Sequence, residues 1–135
     1  MNYRVLLATA IAIGSLIAQS RPNLPIAKPN SLFACDRIAL TAEDRRRHFG
    51  ELGPALRAAT IGVREVPDGF EFEFPPGADT ARLLSEWVIG ERLCCPFFDI
   101  AMRWDREGGP AWLRLTGRLG VKQFIKADFA GWFHQ

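Results

Sequence analysis

The sequence predicts an α+β fold, in which two hairpins form an antiparallel four-stranded sheet and helices pack on it in α-β-β-α-β-β-α order. Four segments have the composition of strands, and a short turn joins each consecutive pair, as antiparallel strands allow. Three further segments place apolar residues at helical spacing. Helices that cover one face of an antiparallel sheet bury such residues economically.

The first predicted helix covers residues 40–59, LTAEDRRRHFGELGPALRAA. Thr41 is the expected N-cap, and Asp44 places an acid in the first turn. Because proline has no N–H to donate, we expect Gly53 and Pro54 to kink or split the helix near its middle.

The second predicted helix covers residues 79–95, with Asp79 as its cap and Pro96 as its end. Proline disfavours helical geometry in the residue before it, so Cys95 should leave the helix. A third helix follows from residue 121, with Val121, Ile125 and other apolar residues on one side.

The first predicted hairpin has a turn at Asp68-Gly69, a strong hairpin signal. After the turn, Phe70, Phe72 and Phe74 alternate with glutamates, which indicates one buried and one solvated face. The second hairpin joins FFDIAMRW to AWLRLTG through the turn DREGGP.

Length and charge restrict the classes of function. The chain has 135 residues, of which 48% are hydrophobic and 24% charged, as in one soluble globular domain. The first 30 residues contain Arg4, Arg21 and Lys28 and no acid, so the remainder carries 14 basic and 15 acidic residues. A body so close to neutral predicts no nucleic-acid partner.

Three regions are predicted: a signal peptide or N-terminal anchor over residues 1–20, a Pro-rich linker over 21–32, and a single α+β domain over 33–135. Arg4 precedes an apolar run over residues 5–18, shorter than the ~20 residues that span a bilayer comfortably. Ala18 and Ser20 are small, as cleavage before Arg21 requires. We predict an exported protein, periplasmic or extracellular, or one anchored by residues 5–18, with no other membrane contact.

The stretch ERLCCPFF, residues 91–98, contains two of the three cysteines of the chain. Val88, Glu91 and Cys95 are spaced by three and four residues, and Glu91 and Cys94 by three, so both thiols end the apolar stripe of the second helix. Glu91 on that stripe needs a partner if it is buried. Arg114, on a facing strand, is a candidate.

Four interpretations of the thiols remain open. They are core filling, a disulfide from Cys35 to Cys94 or Cys95, a thiolate site for a soft ion, and a nucleophilic or redox thiol. Zinc would want a fourth ligand, for which His48 and Glu91 are the candidates. The nucleophile is the weakest interpretation, because the negative end of a helix and the Glu91 charge both suppress the thiolate.

The chain resembles a family of small, uncharacterised bacterial proteins that carry an ER-x-CCPF motif. The matching residues are Cys35-Asp36, Ala39-Leu40, Val66 to Gly69, Glu91 to Phe98, Trp112 to Gly117, Val121-Lys122 and Phe124. Because that family has no established activity, the resemblance implies no substrate. It does imply that Cys35 belongs with the doublet, which favours a three-cysteine site.

We therefore predict a protein that binds or sequesters a soft metal or metalloid ion, such as Cu(I), Hg(II) or As(III), or else zinc. The predicted ligands are Cys35, Cys94 and Cys95, with Glu91 and His48 as auxiliary residues. The first alternative is a structural or interaction domain with a Cys35 disulfide and an unknown protein partner. The second is a thiol-dependent enzyme; a non-enzymatic role is favoured, and no catalytic residue is assigned.

Overall fold

The computed structural model of the protein describes residues 33–133. Its α-helices are α1 (Ala42–Arg47), α2 (Gly53–Ala59), α3 (Ala78–Cys94) and α4 (Val121–Asp128). Its strands are β1 (Gly62–Val66), β2 (Gly69–Phe74), β3 (Asp99–Trp104) and β4 (Ala111–Thr116). Short 3-10 helices cover Arg37–Ala39 and Ala130–Trp132. The predicted signal segment and linker, residues 1–32, lie outside the described residues.

The four strands form one sheet in the order β1-β2-β4-β3, and every neighbouring pair is antiparallel. This confirms the predicted α+β class and the antiparallel four-stranded sheet. On one face the side chains of Phe72 and Leu113, which are directly opposed in β2 and β4, are fully buried. On the other face Arg64 donates to Glu71 at 2.8 Å. The sheet thus has one core face and one polar face.

The first hairpin turns one residue earlier than predicted. Val66 pairs with Gly69, so the two-residue loop consists of Pro67 and Asp68, and Gly69 is the first residue of β2. A side chain at Gly69 would overlap the carbonyl oxygen of Leu115 in β4. Glycine is therefore required here by the close approach of two strands.

The first predicted helix is divided, as Gly53 and Pro54 indicate. The Thr41 side chain accepts from the Asp44 N–H at 3.1 Å, which confirms the predicted N-cap. A π-helical turn over His48–Leu52 then separates α1 from α2, and the Gly53 N–H donates to the carbonyl of His48, five residues back. Pro54 has no N–H with which to continue the regular ladder.

Helix α3 begins after Gly77, which has a φ of 131°, and no side chain caps it. The predicted cap at Asp79 is therefore wrong: Asp79 lies in the first turn and accepts from Arg82 at 2.8 Å. The helix ends at Cys94, and Cys95 has φ −123° and ψ 65°. Pro96 thus ends the helix where the sequence predicted.

The long helix and the C-terminal segment close the core over the sheet. Leu84 of α3 and Ile125 of α4 are fully buried, and the last 3-10 helix places Trp132 against Phe72, with ring centroids 5.2 Å apart. Among residues 33–133, no helix combines the length and the apolar character that crossing a membrane demands.

Candidate functional site

A disulfide between Cys35 and Cys95 joins the start of the described chain to the end of α3. The two Cα atoms are 4.8 Å apart, although the residues are separated by 60 positions in sequence. Beside the bond, the Asp36 N–H donates to the Cys94 carbonyl at 2.6 Å. This hydrogen bond satisfies one of the carbonyls that a helix leaves unpaired at its C-terminus.

Cys94 is a free thiol that is fully buried behind the disulfide. Its Sγ lies 3.9 Å from the Cys95 Sγ and 3.6 Å from the Glu91 Oε2. The His48 Nε2 is 3.8 Å away on the other side. Cys94 is therefore surrounded by groups that can exchange protons or share a ligand with it, and is not a simple core residue.

Glu91 and His48 form a buried pair, with 2.9 Å between Oε2 and Nε2 and about 3% of each side chain exposed. One carboxylate oxygen of Glu91, Oε2, thus contacts both the His48 imidazole and the Cys94 thiol. Its other oxygen, Oε1, has no hydrogen-bond partner, and neither has His48 Nδ1. The prediction that Arg114 pairs with Glu91 is wrong, because the Arg114 side chain lies on the polar face of the sheet and donates to Asp68 at 3.3 Å.

His48 reaches this position through two features of the packing. The π-helical turn begins at His48, and the imidazole stacks on Trp87 with the ring planes 15° apart. On α3, Gly90 leaves room for the ring, since an added Cβ would lie 2.5 Å from Nδ1. The spacing of His48, Leu52 and Leu56 at four-residue intervals is the sequence signal that could have placed His48 on the buried face.

The surroundings of Cys94 keep its thiol protonated. Burial, the negative charge of Glu91 and the hydrogen bond to its carboxylate together raise the pKa of Cys94 to about 12, and burial contributes most. A protonated, inaccessible thiol is a poor nucleophile. A metal ion reverses this preference, because it deprotonates the thiol that it binds.

A cavity of about 110 Å³ reaches the site from outside. Its walls include the aromatic side chains of Trp87 and Phe129, and its polar surface includes Cys35, Glu91 and Asp128. The Asp128 Oδ2 lies 3.9 Å from the Cys35 Sγ. Of the three cysteines only Cys35 lines this cavity, so it is the sulfur that a small molecule meets first.

Four side chains converge as candidate ligands: Cys35, Glu91, Cys94 and Cys95. One donor atom from each lies within 4.8 Å of the others. The three cysteines predicted as ligands are thus brought together, with Glu91 beside them. His48 does not belong to this set, and its Nε2 instead contacts the carboxylate of Glu91.

The chain matches no protein-family model, no curated protein and no solved structure. The likeness to small bacterial proteins with an ER-x-CCPF motif therefore remains a resemblance.

Proposed function

We propose that the protein binds a soft metal or metalloid ion through Cys35, Cys94 and Cys95 when the Cys35–Cys95 bond is reduced. The observation that carries the proposal is the convergence of three sulfur atoms and one carboxylate oxygen within 4.8 Å. A tetrahedral ion with metal–sulfur bonds of about 2.3 Å separates its sulfur ligands by about 3.8 Å. The Cys94 and Cys95 sulfur atoms already lie 3.9 Å apart.

The donor set favours soft ions. Thiolates select Cu(I), Hg(II), As(III) or zinc over magnesium and calcium, which prefer oxygen. Three sulfur atoms complete a site for Cu(I), Hg(II) or As(III), whereas zinc would take Glu91 as its fourth ligand. His48 then acts on Glu91 as an outer partner that fixes the orientation of the carboxylate.

The polar atoms around the thiols fit a bound cation. Glu91 Oε1 is buried without a hydrogen-bond partner, an arrangement that native proteins rarely leave uncompensated. The carboxylate also gives the thiols a negatively charged neighbour 3.6 Å from the Cys94 sulfur. That charge disfavours a lone thiolate and favours a thiolate that shares a cation.

The test is a titration of reduced protein with arsenite, monitored by the ultraviolet absorbance of sulfur–arsenic bonds and by native mass spectrometry. We expect one equivalent to bind to reduced protein and none to oxidised protein. Cys35→Ser and Cys94→Ser should each lose binding, while Glu86→Gln, an exposed acid on the same helix, should bind normally. Equal binding by the Cys94→Ser variant would exclude the three-thiolate site.

A second candidate function is that of a structural or interaction domain held by the disulfide, and the Cys35–Cys95 bond itself favours it. A bond that closes a loop of this length stabilises a fold by about 4 kcal/mol in the loop-entropy estimate. Reduction should therefore lower the free energy of unfolding of the wild type by about 2–5 kcal/mol, measured by urea denaturation. The Cys35→Ser variant, in which no such bond forms, should show no response to the same reductant.

A further inference from the structure

We propose that Cys35 is the site at which an external thiol opens the disulfide, so that a mixed disulfide forms on Cys35 and Cys95 is released beside Cys94. Because the ion site proposed above requires the Cys35–Cys95 bond to be reduced, this step would regulate it. That regulatory role rests on the proposed function. The chemistry itself requires no ion. The reacting partner is a small thiol that carries no charged group other than its own thiolate.

Access distinguishes the two sulfur atoms of the bond. Cys95 is fully buried, whereas Cys35 is half-buried and lines the cavity. Which sulfur is attacked in thiol–disulfide exchange depends on access to it. A thiol that enters the cavity therefore meets the Cys35 sulfur, and Cys95 becomes the leaving group.

The cavity also restricts the attacking thiol. A volume of about 110 Å³ admits a molecule of only a few non-hydrogen atoms. Two carboxylates, Glu91 and Asp128, line it, whereas the Arg37 guanidinium is not among the lining groups and stacks over the Phe49 ring with 3.8 Å to the centroid. The attacking molecule should be small and should carry no carboxylate of its own.

The exchange balances as follows. The external thiolate forms a bond to the Cys35 Sγ, the Cys35–Cys95 bond breaks, and Cys95 leaves as a thiolate that takes a proton from water. A second external thiol then displaces the first from Cys35 and leaves as a disulfide with it, which returns Cys35 as a thiol. After the first step Cys95 is a free thiol beside Cys94, whose sulfur lies 3.9 Å from it in the oxidised protein.

The test is to map the first adduct. Oxidised full-length protein is treated with 2-mercaptoethanol, quenched in acid at early times, alkylated and digested with trypsin. Cleavage after Arg37 and Arg92 places Cys35 and the doublet on different peptides. We expect the mercaptoethanol adduct on the Cys35 peptide, both in the wild type and in Cys94→Ser, in which Cys94 cannot take the adduct over. An adduct that appears first on the doublet peptide overturns the proposal.

A second measurement separates attack on the folded protein from attack after unfolding. Phe49→Ala, which widens the cavity, should raise the rate of reduction several-fold, while Leu119→Ala, at a position 97% exposed and outside the cavity, should leave it unchanged. The wild-type rate should be flat at low urea concentrations. A rate that rises with urea as steeply as the unfolding equilibrium would show that the bond opens only in the unfolded chain, and would overturn the proposal. Neither measurement involves an ion, so its failure is distinct from a failure of arsenite to bind.

Discussion

At the scale of single residues, Glu91 organises the site. One of its carboxylate oxygens meets both the His48 imidazole and the Cys94 thiol, and the carboxylate lies at the last buried turn of α3. Burial of a carboxylate is unfavourable unless it is paired and hydrogen-bonded. Its two partners, a histidine and a thiol, are groups that can bind cations. The Glu91 charge lies beside the Cys94 thiol and raises its pKa.

The first prediction concerns the Cys94 pKa. In oxidised protein Cys94 is the single free thiol of a chain with three cysteines. Glu91→Gln should lower its pKa from about 12 toward the ordinary 9.0, because the negative charge is removed, while burial keeps it above 9.0. Thiolate absorbance near 240 nm during a pH titration measures it, with Glu86→Gln as the control that should behave like wild type.

The sign of the effect on stability follows from the same shift. The folded state holds the Cys94 proton more tightly than the unfolded chain, whose thiol titrates near 9.0. The contribution of Cys94 to stability should therefore be present below pH 9 and decline as the pH rises toward 12. An unchanged pKa in Glu91→Gln would contradict the assigned role of the carboxylate.

At the scale of elements, the site lies where three segments meet: the N-terminal segment with Cys35, the π-helical turn with His48, and the end of α3. The turn and α3 are held together by the stacking of His48 on Trp87 and by the close packing of the imidazole against Gly90, which has no side chain. The candidate ligands thus depend on a helix–helix contact as much as on their own identity.

The second prediction tests that contact. Gly90→Ala should destabilise the protein by about 1–3 kcal/mol, as overpacking in a core does, because the added Cβ meets the imidazole at 2.5 Å. Gly50→Ala is the matched control, since Gly50 is exposed and nothing lies within 4 Å of an added Cβ. It should be neutral or stabilise by up to about 1 kcal/mol. Urea denaturation of the oxidised proteins measures both; equal effects would show that His48 is not packed on Gly90.

The sequence predicted the helices and strands more completely than the contacts between residues that are far apart in the chain. Pro96 determines where α3 ends and Phe72 shows which face of β2 is buried, because both signals act through local geometry. The choice of Cys95 over Cys94 for the disulfide could not be predicted, since it depends on how the N-terminal segment crosses the helix end. The partner of Glu91 was missed for the same reason: His48 is 43 residues away in sequence, and no local rule pairs them.

At the scale of the whole molecule, the site lies next to the point where the N-terminal segment joins the domain. Phe33, the first described residue, packs edge-on against Phe97 with ring centroids 5.3 Å apart. Cys35 follows two residues later and carries the disulfide. Opening of that bond would leave the segment to which the predicted linker is attached held by the Phe33–Phe97 contact and by the Asp36–Cys94 hydrogen bond.

The third prediction concerns export. We expect the mature protein to begin at Arg21 and to occur outside the cytoplasm, because the apolar run over residues 5–18 is short and small residues follow it. N-terminal sequencing and cell fractionation measure this. Ala18→Trp should block cleavage at this site, whereas the exposed variant Leu119→Ala should be processed normally. Wild-type protein that keeps Met1 in the membrane fraction would instead indicate an anchor.

The π-helical turn makes the site sensitive to the length of the chain as well as to its composition. A regular helix advances by about 100° per residue, and a π turn accommodates one residue more than an α-helical turn. Removal of Gly50 would shorten the π turn to an α-helical one and would rotate everything before it by roughly that angle relative to α2. A single deletion at an exposed position could thus turn His48 away from Glu91 while every residue of the site remained present.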